Sequence, residues 1–402
     1  MDGRGQGGFG ESGGFGYCFD SLRPERRFAA GIDRTVPRVL SVIATLDGSG
    51  AEKQFALLNA GLQARGWDMH AVALTRGGPN SQPLDAAGVP LTVLHKALKF
   101  DPLCLARLRR IVAKLKPDVI HSWMFTANAY ARMASGGRPV VTGERCVDRW
   151  KGGWQHAVDR RLIGRTARVV GNSQAVADFA IERGAPADLL TVIPNGVEPL
   201  TPDPSFRANL LSSLQLPPDS QPVVFAGRLA SQKRPEDLIW AFQLLHQANP
   251  SAVHLIVGEG PLRERCERQA LHFGHAHRCR FLGHRQDAAK IIAAADVLWL
   301  ASEYEGQSNT VMEAMSAGVV PIVSDIPSNR ELVADGETGF VVKVGDSLGF
   351  CQFADRLLSA GDLRSRMGAA AGDRMREEFS VDVMLDRYEA LYRELLDEKA
   401  GP

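Results

Sequence analysis

Two glutamates are separated by seven residues in the segment EYEGQSNTVMEAMSAG at 303–318. The pattern predicts that Glu305 lies in the loop after a strand and that a helix follows over 309–317. The first N–H groups of a helix are unpaired and carry partial positive charge, which suits a diphosphate. Glu313 could then accept hydrogen bonds from a ribose diol, and Glu305 could hold sugar hydroxyls. The structural alternative is a solvated loop carboxylate and a helix-surface carboxylate.

A pair of cations follows another predicted strand, in the segment FAGRLASQK at 225–233. The strand delivers Gly227, and Arg228 and Lys233 come in the loop behind it. Arginine can bind a phosphate with two parallel hydrogen bonds, and lysine acts as a mobile point charge. Together they would stabilise negative charge on a departing diphosphate. Taken singly, each is equally compatible with an ordinary solvated loop cation.

Short apolar runs that alternate with helical stretches must position these residues. Such alternation predicts parallel sheets covered by helices on both faces. A Pro-rich stretch, PLTPDPS at 199–205, separates two series of strands. The first series is predicted at 38–46, 68–74, 90–95, 117–123, 139–144, 167–173 and 189–196, and the second at 221–229, 252–260, 278–284, 295–302, 319–325 and 339–344.

The domain organisation follows from this restart. We expect a flexible Gly-rich leader at 1–36, a first Rossmann-like domain at 37–200 and a second Rossmann-like domain at 201–380. A last helix at 381–402 is expected to pack back toward the first domain. The fold class is therefore α/β, with two tandem doubly wound domains facing a central cleft, where ligands of such folds bind.

Composition excludes several classes of protein. The 402 residues carry a net charge of +1, which gives no global reason to bind nucleic acid. Six cysteines without a C-x-x-C pair do not form a disulfide framework, and no apolar run reaches the ~20 residues of a membrane span.

No Asp-x-Asp is present to hold a metal, and the cluster His272, His275, His277 and Cys279 is interpreted as a solvated basic loop.

Two basic segments lie in the first half. The net charge is +6 over 96–116 and +5 over 145–168, and the second segment includes Trp150 and Trp154. Basic residues beside aromatic ones suit an anionic membrane surface or a lipid-linked substrate. Arg145 and Trp150 are our acceptor-side candidates. A solvated helix face is the competing interpretation.

The ordered set of motifs resembles the retaining glycosyltransferases of family 4, which have the GT-B fold. The resemblance spans nearly the whole chain from about Pro37 and is specific as a set. Its motifs are Gly48–Glu52, Asp118–His121, Ile193–Val197, Gly227-Arg228-Leu229 with Lys233, Gly258-Glu259-Gly260-Pro261, Glu305 with Glu313-Ala314-Met315, Glu331, and Asp335-Gly336 with Gly339.

The resemblance implies roles for the second half. Arg228 and Lys233, beside Gly227, would bind the diphosphate, Glu313 the ribose, and Glu305 the donor sugar. Backbone amides would cap the distal phosphate; they belong to Ser308, Asn309 and Thr310.

For the first half, the resemblance implies that Gly50 lets the backbone approach the phosphates and that His121 faces the cleft. A hydrogen-bonded structural histidine is the equal alternative for His121. The chain departs from the family at Gly306-Gln307-Ser308, where Gly-Phe-Pro or Gly-Leu-Pro is frequent. This small polar loop should still lie under the donor sugar.

The resemblance implies a cytoplasmic, metal-independent enzyme without a cofactor. It would move a sugar from a nucleoside-diphosphate sugar to a glycan or lipid-linked acceptor in cell-surface polysaccharide or glycolipid synthesis. The interpretation leaves open whether the enzyme also makes peripheral contact with the inner face of the membrane. The alternatives are an epimerase or a phosphorylase-like enzyme of the same fold, and a nucleotide-sugar-binding protein without transfer activity.

Overall fold

The computed structural model describes residues 36–147 and 152–400, with side chains through Glu398. Nearly all of the expected leader and Trp150 lie outside the described residues. Two sheets form, and every strand pair in both is parallel. The predicted α/β class with two Rossmann-like sheets is therefore confirmed.

The first sheet has seven strands in the order β3-β2-β1-β4-β5-β6-β7. They are β1 (Arg38–Thr45), β2 (Asp68–Arg76), β3 (Leu91–Val93), β4 (Val119–Trp123), β5 (Val140–Glu144), β6 (Arg168–Gly171) and β7 (Leu190–Val192).

The second sheet has six strands in the order β10-β9-β8-β11-β12-β13. They are β8 (Gln221–Ala226), β9 (Ala252–Val257), β10 (Cys279–Gly283), β11 (Val297–Leu300), β12 (Val320–Ser324) and β13 (Phe340–Val342).

Helices cover both faces of each sheet. In the first half they are α1 (Gly50–Ala64), α2 (Gln82–Ala86), α3 (Pro102–Leu115), α4 (Met124–Ala134), α5 (Gly153–Leu162) and α6 (Gln174–Glu182). In the second half they are α7 (Pro204–Ser213), α8 (Pro235–Ala248), α9 (Arg263–His272), α10 (Ala288–Ala293), α11 (Asn309–Ser316), α12 (Pro327–Leu332), α13 (Ser347–Ser359), α14 (Gly361–Glu378) and α15 (Val381–Ala400).

Strand β1 shows why the first sheet is buried on both faces. Val39 and Ile43 point into one hydrophobic core, and the alternate residues Leu40 and Val42 point into another. Successive side chains of a strand face opposite sides, so a strand with apolar residues on both faces fills two cores at once.

In each sheet, the side on which successive strands are added changes once, and the two places where it changes lie opposite each other. From β1 the chain adds strands outward on one side and then returns to β4 beside β1; the second sheet does the same with β8 and β11. Loops behind such neighbouring strands diverge and leave a crevice at their carboxyl ends.

The last helix, α15, belongs to the core of the first half. Tyr388 and Tyr392 are buried in the same cluster as Phe55 and Leu58 of α1. A Cβ at Gly61 of α1 would lie 2.6 Å from a methyl group of Leu385, so the Leu385 side chain fills the space that the glycine leaves where the two helices meet.

The expectation of a solvated histidine loop is wrong in part. His275 and Cys279 are 3% and 4% exposed, because His275 packs against Phe242 and His246 of α8. Across the described residues, no three His, Cys, Asp or Glu side chains are grouped as a metal site. Within the same part of the chain, no helix is both long and apolar enough to span a bilayer.

Candidate functional site

A cleft of about 630 Å³ lies where the carboxyl ends of the two sheets face each other. It collects most of the side chains and glycines that the motifs singled out. The predicted residues that line it are Gly50, Arg145, Gly227, Arg228, Lys233, Glu305, Gly306, Ser308, Asn309, Thr310 and Glu313.

The loops after β8 and β11 place a cation beside a carboxylate. Arg228 follows β8 directly, and Lys233 ends a short 3-10 turn behind it. The ammonium of Lys233 forms an ion pair with Glu305, and both side chains are largely buried. These two functional groups are thus held side by side at the floor of the cleft.

The Gly-x-Gly-Pro loop is explained by a close approach of two backbones. A Cβ at Gly258 would lie 2.0 Å from the carbonyl oxygen of Gly227, and the φ of Gly258 is +132°. Only glycine tolerates both the contact and the dihedral. This packing holds the start of the Arg228 loop against the second sheet.

Two helix N-termini meet in the cleft. Asn309 begins α11 and donates from its side-chain amide to the carbonyl oxygen of Gly50, the first residue of α1, at 2.9 Å. Thr310 donates its hydroxyl to the carbonyl of Ala226 at 3.3 Å, which ties α11 to the end of β8. Both helix dipoles therefore direct positive charge at one place, as an anion site requires.

Glu313 lies one turn into α11 and pairs with Lys53 of α1 at 2.6 Å. Glu198 lies near both groups. Burial raises the pKa of Glu198, and the neighbouring Glu313 charge adds to this rise while Lys53 opposes it. Glu313, Glu198 and Lys53 thus place two carboxylates and one ammonium at the boundary between the two halves.

Arg145 lies in the first-half wall, but its guanidinium is buried. It stacks 4.0 Å from the centre of the Trp123 ring and donates to Asn195 Oδ1 at 2.6 Å and to the Tyr388 hydroxyl at 3.3 Å. Burial lowers the pKa of Arg145. These partners are groups of the protein, and the predicted acceptor contact of Arg145 stays a prediction.

His121 does not line the cleft, and the expectation that it faces the donor or acceptor is wrong. The ring is fully buried, and its Nδ1 lies 2.6 Å from the Tyr392 hydroxyl. It packs against Trp123 and Tyr388. Burial moves the pKa of His121 well below its usual value, and the charge of Arg145 moves it further. Helix α15 covers the end of β4, where the sequence pattern had predicted that His121 faces the cleft.

Glu331 makes a second contact between the halves. Its carboxylate accepts from the backbone N–H groups of Gln174 and Ala175 at 2.8 and 2.9 Å. These are the first residues of α6, where unpaired N–H groups favour a negative charge. The motif glutamate of α12 therefore caps a helix of the first half and does not line the cleft.

Sequence reasoning missed three residues of this site. Lys53 follows the glycine turn in α1, Asn195 stands in the Ile193–Val197 motif without an assigned role, and Gln307 appeared only as a departure. The available signal was the polar character of Asn195 and Gln307 in the loops that follow β7 and β11. Only the packing of the two halves shows that they meet.

Comparison with protein families finds two matches that divide the chain. "Glycosyltransferase Family 4" matches residues 48–199, and "Glycosyl transferases group 1" matches residues 207–374. The boundary between them falls in the Pro-rich stretch.

Similar proteins act on sugars. The lipopolysaccharide core biosynthesis glycosyltransferase LpsE of Rhizobium meliloti is 25% identical over 341 residues, covering 84% of this chain and 94% of that protein. The N-acetyl-alpha-D-glucosaminyl L-malate synthase of Bacillus anthracis is 32% identical over 172 residues, or 42% of this chain and 44% of the synthase.

Solved structures share the fold. Anabaena HepE in complex with UDP-glucose superposes with a TM-score of 0.78 and 21% identity, over 90% of this chain and 99% of HepE. Sucrose-phosphate synthase from Thermosynechococcus elongatus superposes with a TM-score of 0.75 and 18% identity, over 90% and 100%. Together with the family matches, these likenesses confirm the predicted GT-B fold.

Proposed function

This chain belongs to the family 4-like glycosyltransferases of the GT-B fold, and on that premise we propose that it is a retaining enzyme. It uses a nucleoside-diphosphate sugar as donor and a glycan or lipid-linked molecule as acceptor. The product belongs to polysaccharide or glycoconjugate synthesis. The uridine diphosphate bound by the Anabaena neighbour makes uracil the first base to test.

One observation carries the proposal. Arg228, Lys233, Glu305 and Glu313 line a single cleft together with the N-terminus of α11. Two cations and the helix dipole suit a diphosphate, and two carboxylates suit the hydroxyl groups of a ribose and a sugar.

The reaction exchanges one bond at the anomeric carbon. The bond to the diphosphate oxygen breaks, and its electron pair goes to the diphosphate, where Arg228 and Lys233 stabilise the charge. The acceptor oxygen forms the new bond on the same face, and its proton leaves to the departing phosphate oxygen. No metal is required, because the two cations carry the compensating charge. Proton NMR of the anomeric centre would reveal an inverted product and so refute retention.

Thermal unfolding with UDP, GDP, ADP and CDP tests the donor site. A ligand that binds only the native state raises the melting temperature by mass action. We expect one nucleotide to raise it by several degrees with and without EDTA, and Glu313→Ala to abolish the shift. No shift with any nucleotide would contradict the donor site, and a shift abolished by EDTA would contradict metal independence.

A turnover assay distinguishes the alternative functions. Its substrate is the sugar nucleotide whose base the unfolding experiment identifies. An epimerase changes the donor sugar without an acceptor, and a phosphorylase-like enzyme needs inorganic phosphate. A binding protein without activity gives neither product. Release of the nucleoside diphosphate that depends on an added acceptor is the result expected for transfer.

We further propose that the enzyme docks on an anionic phospholipid surface through residues 96–103. Leu98, Phe100 and Leu103 are 61%, 55% and 69% exposed, with Lys99 between the first two and Lys96 two residues before them. The segment 96–116 has a net charge of +6 in a chain of +1. Exposed apolar side chains among cations complement an anionic bilayer.

Sedimentation with vesicles tests this surface. Leu103→Ser should reduce binding to phosphatidylglycerol vesicles severalfold, whereas Leu271→Ser, at an equally exposed leucine of the second half, should not. Equal binding of both variants, or equal binding to neutral phosphatidylcholine vesicles, would overturn the proposal.

A further inference from the structure

Gln307 spans the boundary between the two halves of the molecule. Its side-chain Oε1 accepts from the backbone N–H of Asn195 at 2.5 Å, and its backbone carbonyl accepts from Asn195 Nδ2 at 3.3 Å. Gln307 is 7% exposed and Asn195 is 3% exposed. The residue that departs from the family pattern is therefore a buried bridge to the first half.

Arg145 fixes which way the Asn195 amide points. The guanidinium donates to Asn195 Oδ1 at 2.6 Å, so the oxygen must face Arg145. The Nδ2 group then faces the second half, where it donates to Asn309 Oδ1 at 2.7 Å as well as to Gln307. A charged donor holds this orientation more strongly than a neutral one.

The neighbouring glycine shows how close the two halves come at this loop. A Cβ at Gly306 would lie 2.1 Å from the carbonyl oxygen of Arg145 and 3.0 Å from Asn172 Oδ1. Asn172 donates to that same Arg145 carbonyl at 3.3 Å. The loop behind Glu305 is therefore pressed against the first half, and its position depends on that contact.

We propose that Arg145, Asn195 and Gln307 form a clamp that holds the 305–308 loop in its working position. They act as positioning residues: the clamp sets where Glu305 meets the donor sugar. The Gln307 Oε1 is engaged by the backbone N–H of Asn195, so this oxygen is not the group that reads the sugar. This inference rests on the proposed function for the role of Glu305, whereas the clamp itself is a property of the fold.

Hydrogen exchange on the full-length protein tests the clamp without any substrate. Gln307→Met keeps the side-chain length but removes the acceptor Oε1. The backbone N–H of Asn195 should therefore exchange at least tenfold faster than in the wild type. Gln307→Glu retains an acceptor oxygen and should restore the protection. Gln352→Met, at an exposed position of α13, is the matched control and should change nothing.

A second measurement addresses the positioning role. In Gln307→Met we expect the KM for the donor sugar nucleotide to rise about tenfold while the Kd of the nucleoside diphosphate stays within twofold. Arg228, Lys233 and Glu313 lie outside the 305–308 loop and stay in place, so the loss falls mainly on the sugar contact of Glu305. A merely destabilising change would weaken both.

The outcomes separate the clamp from the proposed function. Unchanged exchange at Asn195 in Gln307→Met overturns the clamp, whatever the enzyme binds. Faster exchange with an unchanged donor KM overturns the positioning role. If the wild type binds no nucleotide, the proposed function fails, but the exchange result still decides the clamp. Arg145→Met removes the group that orients the Asn195 side chain and should also speed exchange at the Asn195 backbone N–H. It provides a second variant should Gln307→Met not fold.

Discussion

The two walls of the cleft contribute different chemistry. The second-half wall presents charged side chains on loops that directly follow strands, namely Arg228, Lys233 and Glu305. The first-half wall presents the backbone of Gly50 and the amide of Asn195, and its arginine is buried. On the proposed function, the second-half wall supplies the charged groups that bind substrate, while the first-half wall adds the helix dipole of α1 and fixes the geometry. The difference teaches that binding groups and positioning groups can be segregated between the halves of one site.

Lys233→Ala should give the largest effect, because it removes a cation from the second-half wall. The loss of one group that stabilises developing charge lowers kcat by about 10² to 10³-fold. Glu305 also loses its ion-pair partner. Release of the nucleoside diphosphate in the presence of acceptor measures the effect.

Lys343→Ala is the matched control, since this lysine is exposed just after β13 and outside the cleft. A Lys233→Ala enzyme that turns over as fast as Lys343→Ala would remove the chemical distinction between the two walls.

Gly306→Ala tests the geometric side of the comparison. The new methyl group would press on the Arg145 carbonyl, so the loop must move by more than 1 Å to reach ordinary contact. A misplacement of this size costs about 10²-fold in kcat/KM. Gly361→Ala, where nothing lies within 4 Å of the added Cβ, should have no effect. Full activity of Gly306→Ala would show that the two walls do not need to meet here.

A smaller effect comes from the cores behind the walls. Burial lowers the pKa of His254 in the second half to about 4, against 6.5 in the unfolded chain. The unfolded state therefore binds the proton more readily, and stability is complete above pH 6.5 and is lost as the pH falls toward 4. Between pH 7 and pH 5 this histidine alone should lower the free energy of unfolding by about 2 kcal/mol.

Urea unfolding at the two pH values measures this loss. His254→Gln should reduce the pH dependence, whereas His272→Gln, at an exposed position, should leave it unchanged. An identical pH dependence in His254→Gln and the wild type would contradict the assignment. His121 of the first half is buried in the same way and should add to the loss at low pH.

The elements and the charged residues could be predicted from the sequence because both depend on local patterns. Apolar runs mark the buried strands, and Arg228, Lys233, Glu305 and Glu313 follow them at recognisable spacings. The strand order could not be predicted, because parallel pairing is not local.

Contacts between distant segments were also beyond local patterns. His121 was misplaced because its partner Tyr392 lies 271 positions later in the chain. Gln307 and Asn195 are 112 positions apart, and neither carries a charge that would have drawn attention. Positioning residues are recognised by what they touch, and that is a property of the folded molecule.

The place of α15 has a consequence for biosynthesis. The first seven strands leave the ribosome early, yet the core between them and α1 is completed by Tyr388, Tyr392 and Leu395. The half that is synthesised first therefore cannot complete its core until α15 has been synthesised, and part of its apolar surface stays exposed until then. A ribosome that stalls before residue 380 would hold a nascent chain whose earliest domain still needs a chaperone.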